Sequence, residues 1–571
     1  MIKLPRFYLV VVISSFCFIV RAQVLLKNSE NLIPLEHLEQ FHLEIYGSVD
    51  SLLLTAREFA GYYKEEHIPS RLSTSGKIRI FFVSDTFELD KAKVMAGDAR
   101  SIICFHGIPP QEIEWADAII YLETGTTAEV SKMIQCIFGG KKFDRHLSLD
   151  AGNFVGGSGI MTTDATRLSF PDAERSPFYQ PLKDTLDKIM QTGLDSMAFP
   201  GAQLLVLHKG EVAVMEEYGC QSYYGCVPVA QTDLYDMASI TKVTTATPAL
   251  MYLYDQNKIN LDLDLCSYFP VLCNSNKGSV PLREALAHQG RLMPYIVYYQ
   301  NTYRKNGKFK GRTFKEEWSK RFPIKITDSL YLHRKFKGQI DKAIKKSPLN
   351  PEPGYVYSGL TFLLYPELIK RLSGERIDSF MYHHFYDRLG ATRMTYRPLD
   401  RFALDEIVPT EIDTVFRHQL IHGYVHDEAA AMLDGLSCNA GLFANALDLG
   451  KYCQMLLNKG TYGGERYLSE KVVEEFTRVQ YPDKDNRRGL GFDKPLLEYR
   501  EGASYVAKSA SAESFGHTGF TGTYFWVDPA EEMVFILLTN RVHPTRANGK
   551  LYRLGLRPRL HQATYDFLEK R

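Results

Sequence analysis

A serine and a lysine stand three residues apart, Ser239 and Lys242, in the stretch "DMASITKVTTATPALMYLYDQ". A serine hydroxyl is a weak nucleophile until a base removes its proton. On a helix, residues i and i+3 share a face, so the lysine amine can reach the hydroxyl from the next turn. The neighbours of Lys242 are Val, Thr, Ala and Leu, and a lysine kept from water can serve as that base. A helix start also turns free N–H groups towards the serine, which suits a developing oxyanion. The chemistry would be acyl transfer. A capping serine followed by a surface lysine gives the same spacing, so the pair alone does not decide.

Two more stretches carry reactive groups. In "PEPGYVYSGLTFLLYPELIKRLSG", Tyr357 and Ser358 precede a strongly apolar helix. A phenol beside a cation can relay a proton; the plainer reading is an aromatic staple on a core helix. In "GHTGFTGTYFWVD", His517, Thr518 and Gly519 open an apolar strand. A glycine there lets a substrate backbone approach an edge strand closely; the plainer reading is a turn before a hairpin.

Taken together, in this order and spacing, the three resemble the penicillin-recognising serine hydrolases: class C β-lactamases, serine D-Ala-D-Ala carboxypeptidases and related esterases. Similar surroundings extend the resemblance over about 390 residues, through "LYDMASITKVTTATPALMYLYDQNKINLDLDLCSYFP", "PLREALAHQGRLMPY", "HGYVHDEAAAMLDGLSCNAGLFANALDLGKYCQMLLNKG" and "FGHTGFTGTYFWVDPAEEMVFILLTNRVHP". The resemblance implies that Ser239 is the acylated nucleophile and Lys242 its base. Tyr357 would pass the proton to the leaving group. His517, where the motif has Lys or His, would bind a substrate carboxylate or tune Tyr357. The backbone N–H groups of Ser239 and Phe520 would form the oxyanion hole, with Thr518 and Gly519 beside it. No metal or cofactor is implied. Two departures stand out. Gly359 occupies the place of an Asn or Asp, which weakens the case for β-lactam or peptide turnover and fits an esterase or a damaged site better. Arg291 replaces a small glycine, as a cation that crowds the pocket edge or contacts an anion.

These motifs need elements to hold them. Residues 1–22 read as a signal peptide: Lys3 and Arg6, an apolar run, then Val20-Arg21-Ala22. The run is short of the roughly 20 residues that span a bilayer, and no other span is expected. Residues 23–151 alternate helix and strand, which predicts an α/β sandwich. Their opening, "VLLKNSENLIPL", and their layout resemble the C-terminal domain of family 3 glycoside hydrolases. In that family the nucleophile lies on a barrel domain for which this chain has no room, so no glycosidase activity follows. Residues 152–176, rich in Gly, Thr and Ser, read as a linker. Residues 177–571 begin with an amphipathic helix and a hairpin turning at His-Lys-Gly, and near their end a second hairpin turns at Asp528-Pro529. The expected architecture is α+β, β-lactamase/transpeptidase-like: an antiparallel sheet drawn from both ends of the segment, flanked by helices, with a helical subdomain.

Lys+Arg (68) and Asp+Glu (67) nearly cancel, so no global field draws the chain to nucleic acid or anionic lipid. Charge is local: residues 301–350 hold 15 Lys+Arg against 4 Asp+Glu, read as a solvated, partly helical cover near a pocket. Export would place the protein in a bacterial envelope or outside the cell and permits disulfides. Cys220/Cys226 and Cys266/Cys273 are close pairs, though separate half-buried thiols are the plainer expectation, and no Cys/His spacing resembles a zinc site. Two functional readings follow: a secreted serine hydrolase acting on a small molecule or cell-wall peptide, or a catalytically impaired relative that binds wall peptides or glycans.

Overall fold

The computed structural model describes residues 23–65, 76–172 and 176–570; the expected signal peptide, 1–22, lies outside them. Among the described residues no helix is long and apolar enough to cross a membrane.

The first half is a five-stranded sheet. Its strands are β1 (Gln23–Asn28), β2 (Phe41–Tyr46), β3 (Gly76–Val83), β4 (Arg100–His106) and β5 (Ala118–Leu122), in the spatial order β1-β5-β4-β3-β2. β2 to β5 run parallel, and β1 closes the edge antiparallel to β5. The central strands are apolar on both faces because helices cover both. Helices α1 (Asp50–Tyr63) and α3 (Thr127–Ile137) contribute to one core, and α2 (Thr86–Ala96) to the other. α3 starts on a Thr126/Glu129 capping box and ends where Gly139 takes a left-handed φ of 76°.

Of the segment read as a linker, most of 152–165 is exposed, but 167–170 pack between the halves. Ile160 N–H donates to Leu25 O, Leu168 and Phe170 are buried, and Ser169 pairs with Glu211. The guanidinium of Arg167 donates to the carbonyls of Leu35, Phe138 and Gly463, so it ties this strap to both halves of the chain.

The second half is built on an antiparallel sheet from both ends of its sequence. Strands β6 (Gly201–His208), β7 (Glu211–Gly219), β8 (Phe515–Thr518), β9 (Tyr524–Asp528) and β10 (Met533–Thr539) lie in the order β8-β9-β10-β6-β7. Helix α4 (Ser176–Asp195) contributes Leu182, Leu186 and Met190, and the last helix contributes Leu556 and Leu560, to the core on one face. The other face meets a helical region. Its elements include α5 (Thr247–Asp255), α6 (Lys337–Lys346), α7 (Tyr365–Ser373) and α8 (Ala446–Leu457); the last helix is α9 (Leu556–Leu568). Gly450 lets α8 sit against the sheet, since a Cβ there would lie 2.5 Å from Leu205 Cδ2.

The basic insertion is folded: strands Phe314–Lys315, Ile324–Thr327 and Leu330–Leu332 form a small sheet, and α6 packs Ile340 and Ile344 inward. A cavity of about 330 Å³ lies between its Pro323–Ile326 edge and the 397–400 and 423–425 segments, and none of Ser239, Lys242, Tyr357 or His517 lines it. The cysteine expectation is corrected. Cys220–Cys226 and Cys266–Cys273 are both disulfides, because their loops fold back to bring the Cα atoms to 5.2 and 4.4 Å. The other described cysteines, Cys104, Cys136, Cys438 and Cys453, are buried and free.

Candidate active site

Ser239 stands immediately before the helical run that leads into α5. Ala238 holds a positive φ of 45°, strained for a residue with a side chain. Its N–H is fixed by Asp236 Oδ1 at 2.8 Å, and the Met237 N–H donates to Leu442 O. The first full turn, Lys242–Ala246, is a wide π turn before the regular α5; such turns are frequent at functional sites. Lys242 is 3% exposed. Its Nζ lies 3.0 Å from Ser239 Oγ and 2.9 Å from the Asn439 carbonyl, so the lysine is held from a second direction.

The Tyr357 stretch lies against this pair. Lys242 Nζ is 5.4 Å from the centre of the Tyr357 ring, and the Tyr357 and His517 rings are 5.9 Å apart. Tyr357 belongs to a loop, and the helix α7 starts further on, at Tyr365. His288 holds that loop: its carbonyl accepts from Val356 N–H and its Nδ1 from Ser358 N–H. Ser358 Oγ donates to Met293 O, so this hydroxyl is occupied by the backbone. The Tyr357 hydroxyl is buried without a hydrogen-bond partner and does not bond Ser239. A Cβ added to Gly359 would have Lys242 Cε 4.0 Å away and nothing nearer. The missing Asn or Asp side chain would therefore have projected towards the lysine.

His517 sits near the end of the edge strand β8. Its Nδ1 is 2.7 Å from the Thr518 carbonyl; a carbonyl only accepts, so Nδ1 carries the ring proton and Nε2 is an acceptor. Nε2 is buried with no partner. Burial, then Arg488 and Lys242, push His517 down to about 3, so at neutral pH the ring is uncharged and offers a carboxylate no cation.

The turn after β8 is pinned to the segment just before Ser239. Thr521 Oγ1 donates to Asp236 O at 2.7 Å and Thr523 Oγ1 to Met237 O at 3.2 Å. Gly519 is required by close approach: a Cβ there would lie 2.0 Å from Thr523 Oγ1 and 2.6 Å from Met237 O. Buried Arg557 donates to the Gly519 carbonyl at 3.2 Å and to Thr523 O at 2.9 Å. In a trans peptide the carbonyl and the next N–H point oppositely, so Arg557 turns the Phe520 N–H away from itself. Among the described residues, the N–H groups of Ser239 and Phe520 meet no acceptor of the chain.

Several residues here were not singled out from sequence. Arg488 is buried, bonds Tyr355 Oη at 3.1 Å and Asp493 at 3.3 Å, and stacks 5.1 Å from the Tyr357 ring centre. Asn439 acts through its backbone, which no side-chain motif could reveal. Arg557 is distant in sequence from the turn it orients. Arg291, with a φ of 59°, stands in a glycine-like conformation, and its guanidinium donates to Asn350 O and Pro351 O.

The β-lactamase family profile, described as "Beta-lactamase", matches residues 186–557. A relative from Escherichia coli O157:H7, named "Putative D-alanyl-D-alanine carboxypeptidase", is 27% identical over 432 residues, covering 70% of this chain and 92% of its own. Similar solved structures include a penicillin-binding protein homologue from Caulobacter crescentus (18% identity, TM-score 0.48, 68% of this chain and 97% of that one). Another is a β-lactamase/D-alanine carboxypeptidase from Pseudomonas syringae (16% identity, TM-score 0.47, 67% of this chain and 99% of that one). With an antiparallel sheet flanked by helices and the matched profile spanning more than half its length, the chain belongs to the β-lactamase family of serine hydrolases.

Proposed function

We propose that this protein is an exported hydrolase that forms an acyl-enzyme at Ser239 on an amide or ester of the cell-wall D-Ala peptide, β-lactam or small-ester class. The observation that carries the reading is Lys242 Nζ, 3.0 Å from Ser239 Oγ and anchored on Asn439 O. In its neutral form the amine takes the hydroxyl proton as Oγ attacks the carbonyl carbon. The Ser239 and Phe520 N–H groups receive the charge that develops on the carbonyl oxygen. Tyr357, whose hydroxyl is free of internal bonds, delivers the proton to the departing amine or alcohol. Neutral His517 tunes Tyr357 through Nε2 rather than binding a carboxylate. Water then repeats the sequence on the acyl-enzyme and releases the acid.

The carboxypeptidase name of the Escherichia coli relative supports a peptide substrate, while Gly359, with no side chain over Lys242, supports an ester. The same glycine is what favours the second reading, an impaired relative that binds wall peptides or glycans. Export is supported by the leader-like residues 1–22 and by two disulfides, which persist in oxidising compartments. The α/β order of residues 23–151 supports a family 3 glycoside hydrolase C-terminal-like domain ahead of the hydrolase domain, joined through residues 152–176.

Labelling with a fluorophosphonate and a fluorescent penicillin, together with turnover of nitrocefin and p-nitrophenyl acetate, tests this. We expect label on the wild type and none on Ser239→Ala. Fluorophosphonate labelling alone would select the ester. No label and no turnover with either substrate would favour the binding protein.

A further inference from the structure

A second cluster of donor atoms lies outside the active site, where the segment before β2 meets the hairpin of strands Thr461–Tyr462 and Glu465–Arg466. His37, Glu39 and Glu465 each bring one nitrogen or oxygen, and these atoms all lie within 4.8 Å of one another. His37 Nδ1 is 3.4 Å from Glu465 Oε1 and 3.9 Å from Glu39 Oε1. Donors held about 2.1 Å from one tetrahedral ion stand about 3.4 Å apart.

One oxygen of each carboxylate in this cluster is left without a hydrogen bond. The side chains of Glu39 and Glu465 are only 6% and 5% exposed. Yet Glu39 Oε2 and Glu465 Oε1 are buried with no hydrogen-bond partner. A buried carboxylate oxygen without a donor is costly, and two so near each other repel. The neighbouring donors bond other atoms than these two oxygens. Arg388 places both arms of its fork on Glu465 Oε2, at 3.0 and 2.7 Å, and Lys64 Nζ donates to Leu38 O at 2.6 Å. Gln40 Nε2 reaches only the other oxygen of Glu39, at 3.3 Å.

We propose that His37, Glu39 and Glu465 bind a divalent transition-metal ion of the Zn²⁺ type. One imidazole and two carboxylates are a donor set for such an ion rather than for Ca²⁺ or Mg²⁺, which take oxygen alone. Arg388 is the outer partner that orients Glu465. His37 is half exposed, so the fourth position opens to water on that side. Two ligands come from the N-terminal half and one from the hydrolase half, which makes the ion a clasp between them. An ion that binds only where the halves are joined stabilises the joined state.

The competing explanation is a protonated His37 bridging the two carboxylates with no metal. The test uses the full mature chain, free of any histidine tag, stripped with EDTA and then titrated with ZnCl₂. Bound metal is measured by mass spectrometry after dialysis, and Tm is followed against Zn²⁺ concentration. We expect one Zn²⁺ per chain and a Tm that climbs with Zn²⁺. His37→Ala should lose both effects, Ser239→Ala should keep both, and Arg388→Lys should bind about 10–100-fold more weakly. His37 is half exposed, so its replacement leaves the fold intact and keeps the test decisive. Wild type that retains no ion, His37→Ala that retains the same ion, or a Tm that follows pH through the histidine range while ignoring Zn²⁺ would each overturn the proposal.

Discussion

Lys242 Nζ is shared between Ser239 Oγ and a backbone carbonyl, so the lysine stays in place whether or not the serine is acylated. Replacing it by Ala should leave the fold intact and lower kcat by about 10²–10⁴-fold, the range for a general base; steady-state p-nitrophenyl acetate kinetics would read this. Gly359 makes the sharper residue-level prediction. No backbone strain or near contact bars a side chain there. Gly359→Asn should keep its Tm and raise nitrocefin turnover relative to p-nitrophenyl acetate, and an unchanged ratio would remove Gly359 as the determinant of substrate class. His517 gives a pH prediction. An unfolded histidine titrates near 6.5, while burial holds the native one at about 3. Between those values the unfolded chain binds a proton that the native chain does not, so this contribution to stability is whole above pH 6.5 and is lost as pH falls towards 3. His543 at about 4 and His561 at about 3 act in the same direction. In urea unfolding at pH 7 and pH 4.5, His517→Gln should show a smaller loss between the two pH values than wild type.

At the scale of elements, the turn from Gly519 to Thr523 positions the Phe520 N–H that we propose for the oxyanion hole. Gly519→Ala would drive a methyl into Thr523 Oγ1 and Met237 O and should cost about 1–3 kcal/mol, as overpacking does, with kcat falling further than stability alone explains. Elements with strong signals were legible in the sequence. The hairpins β6–β7 and β9–β10 and the helix α4 form where turn residues and apolar periodicity put them, and residues 23–151 alternate strand and helix as expected. α2 carries the weakest signal: it buries only Ala92 and Ala96, so it shows almost no apolar stripe. At the site, motif spacing singled out Ser239, Lys242, Tyr357 and His517. It was silent on Arg488, Arg557 and the Asn439 carbonyl, which act through tertiary contacts or the backbone and leave no local pattern. The disulfides were underestimated because loop closure, not spacing, decides whether two cysteines meet.

Across the whole molecule, the two halves share one body of contacts. Arg393, buried in the hydrolase half, forms a two-pronged pair with Glu65 at 2.6 and 2.9 Å. Tyr63 Oη donates to Leu168 O, the Tyr62 and Phe170 rings stack at 4.3 Å, and Gly463 N–H donates to Thr166 O. Small polar residues mark a flexible tether and a packed strap alike, so the packing of 167–170 left no signal in the sequence. Calorimetry on the full chain should show one cooperative transition. A chain starting at residue 177 should melt lower or aggregate, because it exposes the apolar surface under Phe59, Tyr62 and Phe170. Two separate transitions, or a truncated chain as stable as the whole, would show that the halves are independent.

The central claim is a covalent acyl-enzyme at Ser239. Intact-protein mass spectrometry after a rapid acid quench of p-nitrophenyl acetate turnover, followed by peptide mapping, tests it most directly. The account predicts a single acetyl adduct on the peptide containing Ser239, absent in Ser239→Ala. Hydrolysis at full rate in Ser239→Ala, or an adduct mapping to another residue, would contradict it.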